Sequence, residues 1–345
     1  MNFLSVDYGI TKNTQSLSVV LEDSIMQKGK PCTAGSNMLS NFSSPFDATV
    51  VTKLKDAKVQ ILGKTVMNEF GVAQMDSEKE PLAGAVSAVA SDYCDAALCN
   101  DYFGTVKRQA ACNGLYYIQP TYGTVSRFGL IAAAASMDQI GIVCKTLKTG
   151  FEILSIIAGH DEKDGAMFPE KEYTYTPSEE AIVMGENIEL PYFETYGQVH
   201  YILSCAELSN NINRFDGIKF GYRSPNFRTL NDLYLNSRTE GFDIDVKLAA
   251  IMGSMVLSKD QYLPYYDKAM RIRRLIQESL SFDSYNVLAM PAVSGEVLTQ
   301  NAHMALPVLA GLPSLTMPYK EGVIQFIVKA KGENILYAAG EVANS

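Results

Sequence analysis

The chain has 345 residues, 47% hydrophobic and 19% charged, a composition that excludes disordered, collagen-like and low-complexity classes. Its formal net charge of −9 argues against direct nucleic-acid binding through phosphate neutralisation. The six cysteines form no C-x-x-C pair and the three histidines are scattered, so no zinc site is expected. Near the N-terminus, Asp7 and the lack of a basic flank argue against a signal peptide. No run of about 18 apolar residues is present, as a membrane-crossing helix would need. The expectation is a cytoplasmic protein with free thiols and no membrane association.

In chain order, Asp47 reads as the N-cap of a helix running to Ala57, with Val50, Val51 and Leu54 on one face. Val59 to Leu62 reads as a strand ended by Gly63. The alanine-rich stretch 81–98 suits a helix approaching a neighbour closely, and Ile118 to Tyr122 reads as extended chain. A helix is predicted over Leu147–Ala158 with Gly159 just past its end. Residues 161–195 are polar and weakly periodic, and read as a connecting segment. Further helices are predicted over Val246–Leu257 and Tyr266–Leu280. The second would bury Met270, Ile272, Leu275, Ile276 and Leu280 and leave Lys268, Arg271, Arg273 and Arg274 as a solvated face. Strands are predicted at Val287–Met290, Leu315–Met317 and Val323–Val328. Strands mixed with helices along the whole length favour a single α/β layer domain, with residues 1–18 as an N-terminal extension.

Generic motifs give little: there is no P-loop, no G-x-G-x-x-G, no H-E-x-x-H and no G-x-S-x-G. Longer strings are distinctive: PFDATVVTKLKDAKVQILGKTVMNEF, QPTYGTVSRFGLIAAAASMDQIG, AGHDEKD, RFDGIKFGYRS, SRTEGFDIDVK and PVLAGLPSLTMP. Together they resemble the amidase signature family, most nearly its branch of glutamyl-tRNA(Gln) amidotransferase A subunits. The resemblance covers roughly residues 19–340. It implies an α/β fold with a large mixed sheet covered by helices on both faces, shortened before the first motif and across 161–195.

The family hydrolyses amides with a serine nucleophile, a second serine joined by a cis peptide bond, and a lysine. The resemblance places Glu22, in LEDSI, at the lysine position, Leu82, in KEPLAGA, at the relay serine, and Thr105, in DYFGTVKRQA, at the nucleophile. Tyr102, Phe103 and Gly104 occupy the loop whose N–H groups would hold an oxyanion. If that loop needs a positive φ at Phe103, the side chain would distort it. His200, Ala249, Ala302 and His303 fall at former substrate-pocket positions.

A leucine cannot relay a proton, and a glutamate at an ordinary pKa of about 4.3 is a weak base. Read alone, Glu22 beside Asp23 is a solvated loop charge, Thr105 a buried or capping hydroxyl, and Cys99 and Cys112 buried packing residues. The replacements imply a degenerate, non-catalytic homologue with a structural, regulatory or partner-binding role, acting with a protein partner or as a homo-oligomer and needing no cofactor or metal. The alternatives are an active amidase or amidotransferase subunit with altered catalytic residues, or a small-molecule binding protein using a remodelled pocket. Large side chains at Leu82, Tyr102 and Phe103 are expected to fill and dry the site.

Overall fold

Alternate residues of the strands face opposite ways, and this period of two builds the architecture. Val19 and Leu21 of β2 (Ser18–Glu22) enter one apolar layer, while Val20 between them enters the other. The computed structural model describes residues 3–73, 81–292, 297–320 and 322–345. Its other strands are β1 (Leu4–Asp7), β3 (Gln60–Thr65), β4 (Ala96–Asn100), β5 (Tyr116–Gln119), β6 (Ile140–Cys144), β7 (Met184–Glu186), β8 (Val287–Pro291), β9 (Ser314–Tyr319) and β10 (Gly322–Val328). They form one mixed sheet in the order β1-β3-β2-β4-β6-β5-β9-β10-β8-β7. The pairs β3-β2, β2-β4 and β7-β8 are parallel and the rest antiparallel.

Helices cover both faces. On one lie α1 (Thr49–Asp56), α4 (Leu147–Ile157) and α10 (Glu333–Asn344), with Leu54, Phe151 and Leu336 packed on Leu98, Ile142 and Phe326 of the strands. On the other, α2 (Gly84–Ala90) and α3 (Thr105–Cys112) pack on Val20, Ala97 and Val143. Next to them, α5 (Tyr196–Ile212), α7 (Ile244–Val256), α8 (Lys268–Ser279) and α9 (Val297–Ala310) pack on Leu288 and Ile327. Helix α6 (Leu230–Gly241) is closed at its start by a reciprocal cap between Thr229 and Asp232.

Most periodic elements stand where the sequence puts them, but the alanine-rich stretch 81–98 is helical only over α2 (Gly84–Ala90), and its last alanines, Ala96 and Ala97, begin the buried strand β4; the other differences are local and have physical causes. Asp47 does not cap α1, whose N-cap is Ala48; its carboxylate instead accepts from Lys28 N–H (2.8 Å) and Lys55 Nζ (2.7 Å). Strand β3 runs through Gly63, because β1 passes so close there that a Cβ would stand 2.5 Å from the Val6 carbonyl oxygen. Residues 1–18 therefore contribute an edge strand, β1, paired antiparallel with β3. Residues 161–195 are mostly irregular, with one short strand, β7, added beside β8.

Helix α8 buries Ala269 and Ile276 but leaves Met270 (41%) and Leu275 (43%) exposed, so its buried stripe is narrower than predicted. Its basic face is also divided. Arg271 and Arg274 pair with Asp267 and Glu278 at the surface, whereas Arg273 turns inward to donate to the Leu309 carbonyl (2.8 Å), the Ser136 hydroxyl (2.7 Å) and the Ser136 carbonyl (3.0 Å). All six cysteines are free thiols; five are buried, but Cys112, on the outer side of α3, is exposed. Among the described residues no helix is long and apolar enough to cross a membrane.

Candidate functional site

The site forms where β2 and β4 end side by side. Their parallel register pairs Leu21 with Leu98, so Glu22 at the end of β2 comes beside Asn100 at the end of β4. Glu22 is 3% exposed, and its Oε2 accepts from Ser24 Oγ (2.6 Å) and from Asn100 N–H (3.0 Å). Burial raises its carboxyl to about 7, against a smaller lowering by those two hydrogen bonds. The expectation of a solvated loop charge is overturned: Glu22 closes a buried strand and is held between Ser24 and Asn100. The neighbouring Asp23 is also buried and pairs with buried Lys64 (3.0 Å).

From β4 the chain turns through residues 101–104 into α3. Asp101 fixes the turn, accepting from Val106 N–H (3.0 Å) and Lys107 N–H (2.7 Å), two of the otherwise unpaired donors of the helix start. Gly104 takes the left-handed conformation (φ +85°), and a Cβ there would stand 2.5 Å from Met304 Cβ. The positive φ thus falls on Gly104 and not on Phe103, so the anticipated distortion at Phe103 is absent. Thr105 follows as the first residue of α3, half-buried. Lys107 points into the core and donates to Gln119 Oε1 (2.6 Å). Its burial lowers the ammonium to about 8, and burial likewise raises Asp101.

A cleft of about 450 Å³ opens over these elements, and its lining includes Glu22, Leu82, Asn100, Asp101 and Thr105. The three family positions, Glu22, Leu82 and Thr105, are therefore brought together by the fold. The expected filling does not occur. Leu82 lies at the rim, 43% exposed. Tyr102 is buried beneath the loop, its hydroxyl donating to the Phe70 carbonyl (3.0 Å). The Phe103 ring leans on His200 (centroids 5.4 Å apart) and Tyr201 and is not among the lining residues. The space remains, bounded mostly by apolar side chains such as Phe3, Val66 and Val106.

The four former pocket positions do not line this cleft among the described residues. His200 is buried and its Nε2–H donates to the Tyr102 carbonyl (2.7 Å), supporting the loop from behind. Burial pushes its imidazole down to about 4, so it is neutral near pH 7. His303 packs on Phe193 with ring centroids 4.8 Å apart, and Ala249 and Ala302 are buried in the apolar cluster of α5, α7 and α9. No cis peptide bond and no group of metal-ligating side chains occurs among the described residues.

Asn100, Asp101 and Lys107 were not singled out in the sequence. Asp101 carries a readable signal, a capping carboxylate before a helix with glycine between. Lys107 carries none, since a lysine on an amphipathic stretch gives no sign that it faces a core.

Comparison with known proteins agrees with this geometry. The Amidase family matches residues 15–79, 83–185 and 178–319. The A subunit of glutamyl-tRNA(Gln) amidotransferase from Latilactobacillus sakei is 33% identical across 94% of this chain and 81% of its own length. Its counterpart from Enterococcus faecalis is 33% identical across 96% of this chain and 83% of its own length. The crystal structure of the Thermotoga maritima counterpart superposes with a TM-score of 0.74 at 23% identity, covering 98% of this chain and 85% of that one. Native peptide amidase from Stenotrophomonas maltophilia superposes at 0.75 and 21% identity, covering 95% and 83%. Sequence match and overall fold agree, and the chain belongs to the amidase family.

Proposed function

We propose that this chain is a non-hydrolysing member of the amidase family that keeps the cleft as a binding site and acts with a protein partner. The observation that carries the reading is the content of the cleft: Glu22, Leu82 and Thr105 line one space. Serine-type amide hydrolysis needs a proton path from nucleophile to base. Leu82 offers no donor or acceptor to carry it, and a carboxyl stands where the family's neutral lysine would accept the proton. A partner is supported by the relatives, which are themselves subunits of an amidotransferase. It is also supported by the exposed apolar side chains Ile244, Ile251 and Met255 along α7, with Leu263 beyond its end. The purified chain, incubated with glutamine and simple amides, should release no ammonia above background. Turnover abolished by Thr105→Ala would overturn the reading.

One observation favours a second reading. A carboxyl raised to about 7 is suited to general-base work at neutral pH, and Glu22 shares its cleft with the Thr105 hydroxyl. On that reading Thr105 attacks the amide, Glu22 takes its proton, and turnover requires both side chains. Loss of activity in both Glu22→Gln and Thr105→Ala would select it.

A further inference from the structure

A cavity of about 450 Å³ falls within the range that holds a small organic ligand. Its described lining contains no lysine, arginine or histidine; the ionisable groups facing it are Glu22 and Asp101. Both Asp101 oxygens are engaged by Val106 and Lys107 N–H groups at the start of α3. Glu22 differs. Its Oε2 takes two hydrogen bonds, but no described group donates to Oε1, although the residue is 3% exposed and lines the cavity. Apolar side chains, among them Val66, Met67, Leu82 and Val106, line the same cavity. Among the described lining residues a ligand carboxylate would find no counter-charge and would approach a buried acid. An ammonium would supply a donor to Oε1 while its apolar body packs against the walls.

We propose that the cleft selects small primary amines with an apolar body, the ammonium seated on Glu22 and the body against Val66, Leu82 and Val106. This rests on the reading of the cleft as a binding site. Three probes of nearly equal shape test it: benzylamine, benzyl alcohol and benzoate, titrated into the full chain by calorimetry at pH 7.5. Benzylamine should bind at least tenfold more tightly than benzoate and more tightly than the alcohol. Glu22→Gln should weaken benzylamine about tenfold and leave the alcohol unchanged. Leu82→Arg, at an exposed rim position and so harmless to folding, should weaken benzylamine and strengthen benzoate. Equal or tighter binding of benzoate by the unaltered chain would overturn the proposal, as would binding of none of the three at millimolar concentration. Amide turnover, measured separately, decides the preceding reading: an active enzyme that still prefers benzylamine would refute that reading and leave the charge selection standing.

Discussion

Glu22→Gln isolates the electrostatic cost of placing an acid at the floor of the cleft. In the folded chain the carboxyl titrates at about 7, against 4.5 for the unperturbed group. The shift is upward, so the sign follows: folding favours the protonated form. The associated stability is fully present below pH 4.5 and is lost progressively as pH rises through about 7. At about 1.4 kcal/mol per pH unit, the penalty is about 1 kcal/mol at pH 5 and about 3 kcal/mol at pH 8. Glutamine is nearly isosteric, still accepts from Ser24 and Asn100, and does not ionise. Urea unfolding of both proteins at pH 5 and pH 8 should show the variant gaining about 2 kcal/mol on the parent between the two conditions. Glu69, also raised by burial to about 7, is present in both proteins and cancels in the difference. A difference between the proteins that does not change with pH would refute the buried placement of Glu22 and the argument built on it.

Other consequences are as direct. Gly104→Ala combines a left-handed backbone with a 2.5 Å approach to Met304, and should lower stability by about 2–4 kcal/mol in thermal or urea unfolding, more than Gly114→Ala, which shares the left-handed backbone (φ +76°) but where a Cβ meets nothing within 4 Å. Arg273→Ala removes three hydrogen bonds that tie α8 to Ser136 and Leu309 and should cost about 2–3 kcal/mol, whereas Arg274→Ala, which removes a surface pair with exposed Glu278, should leave the unfolding midpoint nearly unchanged. With five thiols buried and Cys112 exposed, a thiol reagent should label one equivalent in the native chain and six in denaturant, and Cys112→Ser should abolish the native label.

The sequence by itself determined the elements whose pattern is local. The apolar spacing of Leu147–Ile157 with Gly159 beyond it, and the apolar runs that became β8, β9 and β10, are legible because periodicity and turn chemistry act over a few residues. Tertiary structure decided what depends on partners distant in the chain. Glu22 becomes a buried acid because β2 lies beside β4, about 80 residues on, and Asn100 N–H reaches it across that pairing. Arg273 leaves the solvated face it shares with Arg271 and Arg274 because Ser136 and Leu309 present acceptors within its reach. The cleft stays open for a similar reason. Whether Leu82, Tyr102 and Phe103 fill a space depends on the directions their side chains take, and those are set by Phe70, His200 and Tyr201 packed around the loop. Side-chain volume is written in the sequence, but the direction in which it is spent is fixed only when the neighbouring elements pack.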